Sequence, residues 1–336
     1  MKKTLVFLAM LAVAMIQAVN AASDDATFLE TVKHGYADSN GVKIHYAELG
    51  KGPLVVMIHG FPDFWYTWRH QMQALADNYR VVAIDQRGYN KSDAPMHVED
   101  YAFPALLGDV SAVIRHFGED KAIIVGHDWG ASVAWQFAIH MPQMTEKTVM
   151  LNVPHPNGFM REFTKNPLQQ EASSYARKFI AGKPTDSEIL FGEPMNPKTL
   201  ASWVKDTVAQ PNYVEAFARS SFTAMLNYYK ANYPHKPYKD AWEQAKNKPL
   251  PKLQMPVLMF HGLDDWALKA HGLDDTWDWI DKDFTLVTVP GAGHFVQHDA
   301  AQLVSTTIKW WLLARPNNLP QLSSPQTNVD ISENTK

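Results

Sequence analysis

The 336-residue chain contains no cysteine. That absence excludes structural disulfides, thiolate metal sites, a thiol nucleophile and a lipid-modified cysteine near the N-terminus. A large excess of charge of one sign is missing too. The 31 Lys and Arg nearly balance 35 Asp and Glu, the formal net charge is −4, and no basic run occurs. Such a chain is a poor partner for nucleic acid or an anionic membrane surface. Beyond the first residues there is also no long uncharged apolar run, so no transmembrane helix is expected. The exception is the start. Lys2-Lys3 precedes an apolar stretch from Thr4 to Ile16, with Val19 and Ala21 in the −3/−1 pattern of a signal-peptidase site. Residues 1–21 therefore read as a secretory signal peptide of bacterial type, which predicts a periplasmic or secreted protein.

What is present reads as a layered α/β protein. Asn40-Gly41 lies between Thr31 to Ala37 and Val42 to Leu49, a strong hairpin signal. Short apolar runs at 54–58, 81–84, 122–125 and 148–151 have the look of buried parallel strands, and 257–260 and 285–289 complete the strand set. Helical spacing appears from Pro104 to Phe117, after the run at 122–125 through Met141, from Asp274 to Ile280, and from Asp299 to Ala314. Strands alternating with helices predict a mostly parallel sheet covered on both faces. From 155 to 255 the rhythm breaks into prolines and aromatics at helical spacing, the pattern of a helical cap inserted between two strands. The expected division is therefore a core of residues 25–154 and 256–315, a cap of 155–255, and a flexible polar tail of 316–336.

The most informative segment is Gly126-His127-Asp128-Trp129-Gly130, set between an apolar run and a helix-like stretch. Strand, sharp glycine-flanked turn and helix form the setting of a nucleophile elbow. The central residue is an aspartate where an esterase has serine. A carboxylate is ionised at neutral pH and needs no base to attack. It can displace at saturated carbon and form an alkyl ester, which suits an epoxide or alkyl halide. His59-Gly60-Phe61-Pro62 follows the 54–58 run, so a backbone N–H there can converge with that of Trp129 as an oxyanion hole. Asp265 follows the 257–260 run, with Asp264 as its rival for the acid. His294 follows the 285–289 run, in Gly291-Ala292-Gly293-His294, where the glycines let the loop bend inward. Nucleophile, acid and base at 128, 265 and 294 stand in the chain order of an α/β-hydrolase triad. His127 reads as elbow scaffold and His59 as a loop-shaping residue, with His155, His261 and His298 at or near the pocket edge.

Together these four motifs resemble the epoxide hydrolases of the α/β-hydrolase superfamily, over roughly residues 30 to 315. Asp85-Gln86-Arg87-Gly88-Tyr89-Asn90-Lys91-Ser92 is similar to a further turn of that family. The resemblance implies an α/β-hydrolase fold, with the N–H groups of Phe61 and Trp129 as the oxyanion hole. It also implies two cap tyrosines that protonate the ring oxygen. Leu226-Asn227-Tyr228-Tyr229-Lys230 resembles the segment carrying one, which places that role on Tyr229. Ser174-Tyr175-Ala176-Arg177-Lys178-Phe179 resembles the other, which places it on Tyr175. No metal or organic cofactor is implied, and the cap aromatics suggest a small-molecule epoxide with an apolar portion. A haloalkane dehalogenase shares Asp128 and His294. In such enzymes the loop position of Phe61 commonly carries an amide. A binding protein on the same scaffold would need no triad.

Overall fold

The computed structural model describes residue 25 and residues 27–234 and 241–315. The expected signal peptide and C-terminal tail lie outside the described residues. Eight strands form one sheet in the order β1-β2-β4-β3-β5-β6-β7-β8. These are β1 (Lys33–Ser39), β2 (Val42–Leu49), β3 (Leu54–Ile58), β4 (Arg80–Ile84), β5 (Ala122–His127), β6 (Thr145–Leu151), β7 (Val257–Gly262) and β8 (Phe284–Val289). The β1–β2 and β2–β4 pairs are antiparallel and all later pairs are parallel. Asn40 and Gly41, with φ of 53° and 87°, close the first hairpin with the left-handed pair a two-residue turn requires. Strands β3, β5 and β7 are buried at every position, which explains their unbroken apolar runs.

Helices cover both faces. They are α1 (Arg69–Leu75), α2 (Phe103–His116), α3 (Trp129–His140), then α4 (Pro156–Lys165) through α10, and finally α11 (Val296–Asp299) and α12 (Ala301–Leu313). Between β6 and β7 the chain leaves the sheet, and among the described residues it forms seven helices: α4, α5 (Pro167–Ala172), α6 (Ser174–Ala181), α7 (Pro197–Leu200), α8 (Gln210–Arg219), α9 (Phe222–Asn232) and α10 (Ala241–Asn247). Proline opens four of them at the first or second position, where its missing N–H costs nothing. Among the described residues no helix is long and apolar enough to cross a membrane.

Three elements differ from the sequence reading. The first strand begins at Lys33 rather than Thr31, because Val32 N–H closes a helical turn on the Phe28 carbonyl at 3.2 Å. The helix expected from Asp274 to Ile280 is two short 3₁₀ turns, Ala270–Leu273 and Thr276–Trp279. Asp275 between them sits at φ 61°, and its carboxylate accepts from Arg161 of α4 at 2.9 Å. A tertiary tie therefore overrides a weak helical pattern. The closing helix is broken at Ala300 (φ −131°, ψ 42°), where Asp299 turns back to accept the Gly293 N–H at 2.9 Å.

The strand order places the site. From β3 the chain crosses to β4 on one side, while β5 lies on the other. The loops leaving the carboxyl ends of β3 and β5 therefore diverge, and a crevice opens at this switch point. Ile58 pairs with Gly126 at the ends of those strands, so the loop carrying Phe61 and the turn carrying Asp128 start side by side.

Candidate active site

Asp128 stands between β5 and α3 with φ 51° and ψ −122°, a backbone conformation that costs a non-glycine residue strain. Close packing on both sides enforces it. A Cβ on Gly130 would lie 2.0 Å from the Ile58 carbonyl oxygen, and one on Gly60 would lie 2.3 Å from the Asp128 Cβ. Only glycines at 60 and 130 let the elbow press against the end of β3. The result lifts the Asp128 carboxylate into the crevice, nearly buried at 8% exposure.

The two carboxylate oxygens of Asp128 have different surroundings. Oδ1 accepts the Phe61 backbone N–H at 2.7 Å. Oδ2 lies 3.3 Å from Nε2 of His294. On the other edge of that ring, Nδ1 lies 2.9 Å from Asp265 Oδ2. The structure brings Asp265 to His294, whereas Asp264 is exposed with its N–H tied to the Ala292 carbonyl at 2.9 Å. Trp129 opens α3, so its N–H is among the helix donors without an intrahelical acceptor.

Charge follows from this geometry. Burial disfavours the ionised form of Asp128, yet the hydrogen bond and charge of His294 outweigh it and hold the carboxyl below its usual range. Burial is likewise overcome at Asp265, which His294 and the N–H groups of Ala267 and Leu268 (2.8 and 3.0 Å) hold well below the ordinary carboxylate. For His294 burial lowers the pKa, but two carboxylates, Asp265 first, push it up to about 10. At neutral pH the resting site is thus an imidazolium between two carboxylates.

Above this group sit aromatic side chains of the helical segment. The Tyr229 ring of α9 is 5.0 Å from Trp129, 5.6 Å from Phe61 and 4.9 Å from Phe179. Tyr175 of α6 lies 6.2 Å from Tyr229, ring to ring. Burial pushes both hydroxyls well above the ordinary phenol, and the Asp128 charge adds to it. They remain protonated donors at any working pH. Asp128, Tyr175 and Tyr229 all line the cavity over the elbow.

The other histidines are scaffold. His127 donates Nε2–H to the His294 carbonyl at 2.7 Å, fixing the base loop from below. His59 accepts the Gln86 N–H at 3.0 Å and donates to the Gly60 carbonyl at 2.8 Å. His155 stacks on Trp279, His261 donates to the Asn152 carbonyl at 2.9 Å, and His298 is 2.7 Å from the Thr67 hydroxyl. None of these three lines the cavity over the elbow.

One supporting residue was missed in the sequence. Asn152, just past β6 at φ 65°, donates to Asp265 Oδ2 at 2.7 Å and to the Gly293 carbonyl at 3.1 Å. It joins the acid loop to the base loop. A polar residue at the carboxyl end of a buried strand was the available signal. The segment from Asp85 to Ser92, already marked in the sequence by its resemblance, gains a contact role in the structure. Tyr228 donates to the Arg87 carbonyl at 2.9 Å, and Ser221 N–H to the Gly88 carbonyl at 2.9 Å. Both partners flank or belong to α9, so this turn seats the helix that carries Tyr229.

Residues 53–301 match the family model described as the alpha/beta hydrolase fold. Epoxide hydrolase 1 of Caenorhabditis elegans is 36% identical over 282 residues, covering 82% of this chain and 69% of the relative. The AB hydrolase superfamily protein YfhM of Bacillus subtilis is 32% identical, covering 84% and 99%. Among solved structures, an epoxide hydrolase from Bacillus megaterium superposes with a TM-score of 0.74 at 31% identity, covering 84% of this chain and all of that one. The chain belongs to the α/β-hydrolase fold family, within its epoxide hydrolases.

Proposed function

We propose that the protein is an exported hydrolase that converts an epoxide to a vicinal diol through a covalent ester on Asp128. The observation that carries this reading is the position of His294, 3.3 Å from the Asp128 carboxylate and 2.9 Å from Asp265, beneath two protonated tyrosines. Asp128 Oδ2 attacks a ring carbon, and the C–O bond breaks as Tyr175 and Tyr229 hydrogen-bond the leaving oxygen. One of them gives up its proton. Alkylation discharges Asp128 and removes one of the two anions that hold the His294 proton. That proton passes to the tyrosinate through solvent, which leaves a neutral imidazole. His294, oriented by Asp265, then takes a proton from water as the oxygen attacks the ester carbonyl. The Phe61 and Trp129 N–H groups steady the charge on that carbonyl oxygen. Collapse expels the diol, with its second hydroxyl protonated, and returns the carboxylate and the imidazolium.

Phe61, Phe179, Tyr175 and Tyr229 around the elbow suit a substrate with an apolar portion. Export is supported by Lys2-Lys3, the apolar run to Ile16, and Val19 and Ala21 before a cut after residue 21. The deciding experiment is diol formation from aliphatic and aryl epoxides by the folded mature protein. Halide release from haloalkanes without any diol would instead favour a dehalogenase. Mass measurement of the protein recovered from periplasm and medium checks the cut.

A further inference from the structure

The loop between α7 and α8 is where the inserted helices rest on loops of the core. Two ion pairs hold it there, Asp206 to the buried Arg69 of α1 at 2.9 Å and Lys205 to Asp299 at 2.6 Å. Asp299 also accepts the Gly293 N–H at 2.9 Å, so the second pair reaches the loop that carries His294. Trp203 stands just before them, half-buried. Its indole N–H donates to the Pro62 carbonyl at 3.1 Å. Its ring lies flat on Phe295, centre to centre at 3.5 Å with the planes 5° apart. Tyr213 and His298 meet it edge-on at 5.3 and 5.1 Å.

Pro62 follows Phe61, whose N–H meets Asp128, and Phe295 follows His294. One side chain of the inserted helices thus grips the residue next to the oxyanion donor and the residue next to the base. The loops concerned leave β3 and β8, which stand apart in the sheet with β5, β6 and β7 between them. No shared ladder sets their spacing, so side chains must. His127 holds the base loop from below through the His294 carbonyl. Trp203 holds both loops from above. A phenylalanine could stack on Phe295 equally well. What the indole adds is the bond to the Pro62 carbonyl, which ties the two loops through a single rigid ring.

We propose that Trp203 is a positioning residue for the second half of the reaction. It sets the distance between the Phe61 N–H and the His294 imidazole, so that the ester carbonyl and the attacking water are met together. The proposal rests on the covalent epoxide hydrolase reading and deepens it. The first half draws on other supports. The elbow places Asp128, and α9, which carries Tyr229, is seated on the Arg87 and Gly88 carbonyls. A misplacement of about 1 Å between reacting groups can slow a step about 10²-fold. Loss of Trp203 therefore slows hydrolysis of the ester and spares its formation.

Rapid-quench measurement of intact-protein mass gives the rates of ester formation and ester hydrolysis separately. The test applies it, with styrene oxide, to the parent, Trp203→Phe, Trp203→Ala and Asp206→Asn. Trp203→Phe keeps the stack on Phe295 and lacks the N–H, and Trp203→Ala loses both contacts. Hydrolysis should slow about tenfold in the first and about 10²-fold in the second, with ester formation within about threefold of the parent in each. Asp206→Asn loosens the same loop at Arg69 and leaves both grips in place, so its two rates should keep the parent ratio. Equal slowing of both steps in Trp203→Phe, or hydrolysis at the parent rate, overturns the proposal even if Trp203→Ala fails to fold. So does a ratio in Asp206→Asn that shifts as far as in Trp203→Phe, since seating of the loop then accounts for the effect. Absence of ester in the parent and in His294→Gln alike strikes the covalent reading itself, and the proposal falls with it.

Discussion

Asp128 Oδ1 accepts the Phe61 N–H at 2.7 Å, so on the proposed mechanism one oxygen of the nucleophile already occupies the oxyanion position in the resting chain. The other oxygen, 3.3 Å from His294 Nε2, is the one that would attack on that mechanism. The ester carbonyl then forms where the N–H group waits, and no reorganisation is needed before water adds. In a single turnover in ¹⁸O-water with excess enzyme, the first diol should carry oxygen from Asp128, and the heavy isotope should remain in the Asp128 carboxylate. Label in the first diol, with none in the protein, would mean direct attack by water.

Removing the base separates the two halves of the reaction. His294→Gln should still be alkylated, since the carboxylate is a nucleophile without help, but hydrolysis of the ester should stop. Intact-protein mass after exposure to an epoxide is expected to increase by the mass of the substrate, with peptide mapping placing it on Asp128. A folded variant that binds epoxide yet shows no adduct would count against the covalent route.

Tyr175 and Tyr229 answer a different need. An epoxide opens to an alkoxide, which leaves poorly unless a proton donor meets it. Each Tyr→Phe change keeps the ring packing and removes one donor, so alkylation should slow by about 10²–10³-fold. The double variant should bind epoxide and form almost no ester in rapid-quench measurements. Turnover by the double variant near the parent rate would withdraw the role from both residues.

The imidazolium also sets a dependence of stability on pH. His294 is raised from 6.5 to about 10 in the folded chain. Its contribution to stability is therefore complete below pH 6.5 and is lost as the pH rises through about 10. Asp265 works in the opposite sense, contributing above 3.8 and losing its contribution as the pH falls further. Urea unfolding of the parent and His294→Gln should show a parent advantage at pH 6 that shrinks by pH 10. A gap that does not change over this range contradicts the assignment.

Gly130→Ala tests the elbow. Its Cβ would be placed 2.0 Å from the Ile58 carbonyl oxygen, against backbone that cannot rotate away. The cost should reach or exceed the ~1–3 kcal/mol usual for overpacking, and any folded fraction should have lost alkylation as well. A melting temperature equal to the parent's would show that the strand end and elbow are looser than their spacing implies.

Much of this was legible in the chain because it is local. Apolar runs of four or five residues mark the strands, and each motif of the site follows one of them, although the strand before His294 is buried only at its end. Asp128 was identifiable because a glycine-flanked turn between strand and helix admits few backbone paths. The order 128, 265, 294 follows from strands whose carboxyl ends share one edge of the sheet. Asn40-Gly41 likewise specified its own hairpin.

Other features were decided only by tertiary structure. Asp264 and Asp265 are neighbours with the same side chain, and what separates them is which one the loop turns inward to His294. Asn152 became the tie between two loops because β6 lies beside β7, a fact of strand order rather than of its own segment. The segment from Asp274 to Ile280 had helical spacing, but Arg161, over a hundred residues earlier, holds Asp275 in a left-handed turn. Local pattern specifies a residue's backbone. What that residue touches depends on elements far away in sequence, and the chemistry of the site is made of those contacts.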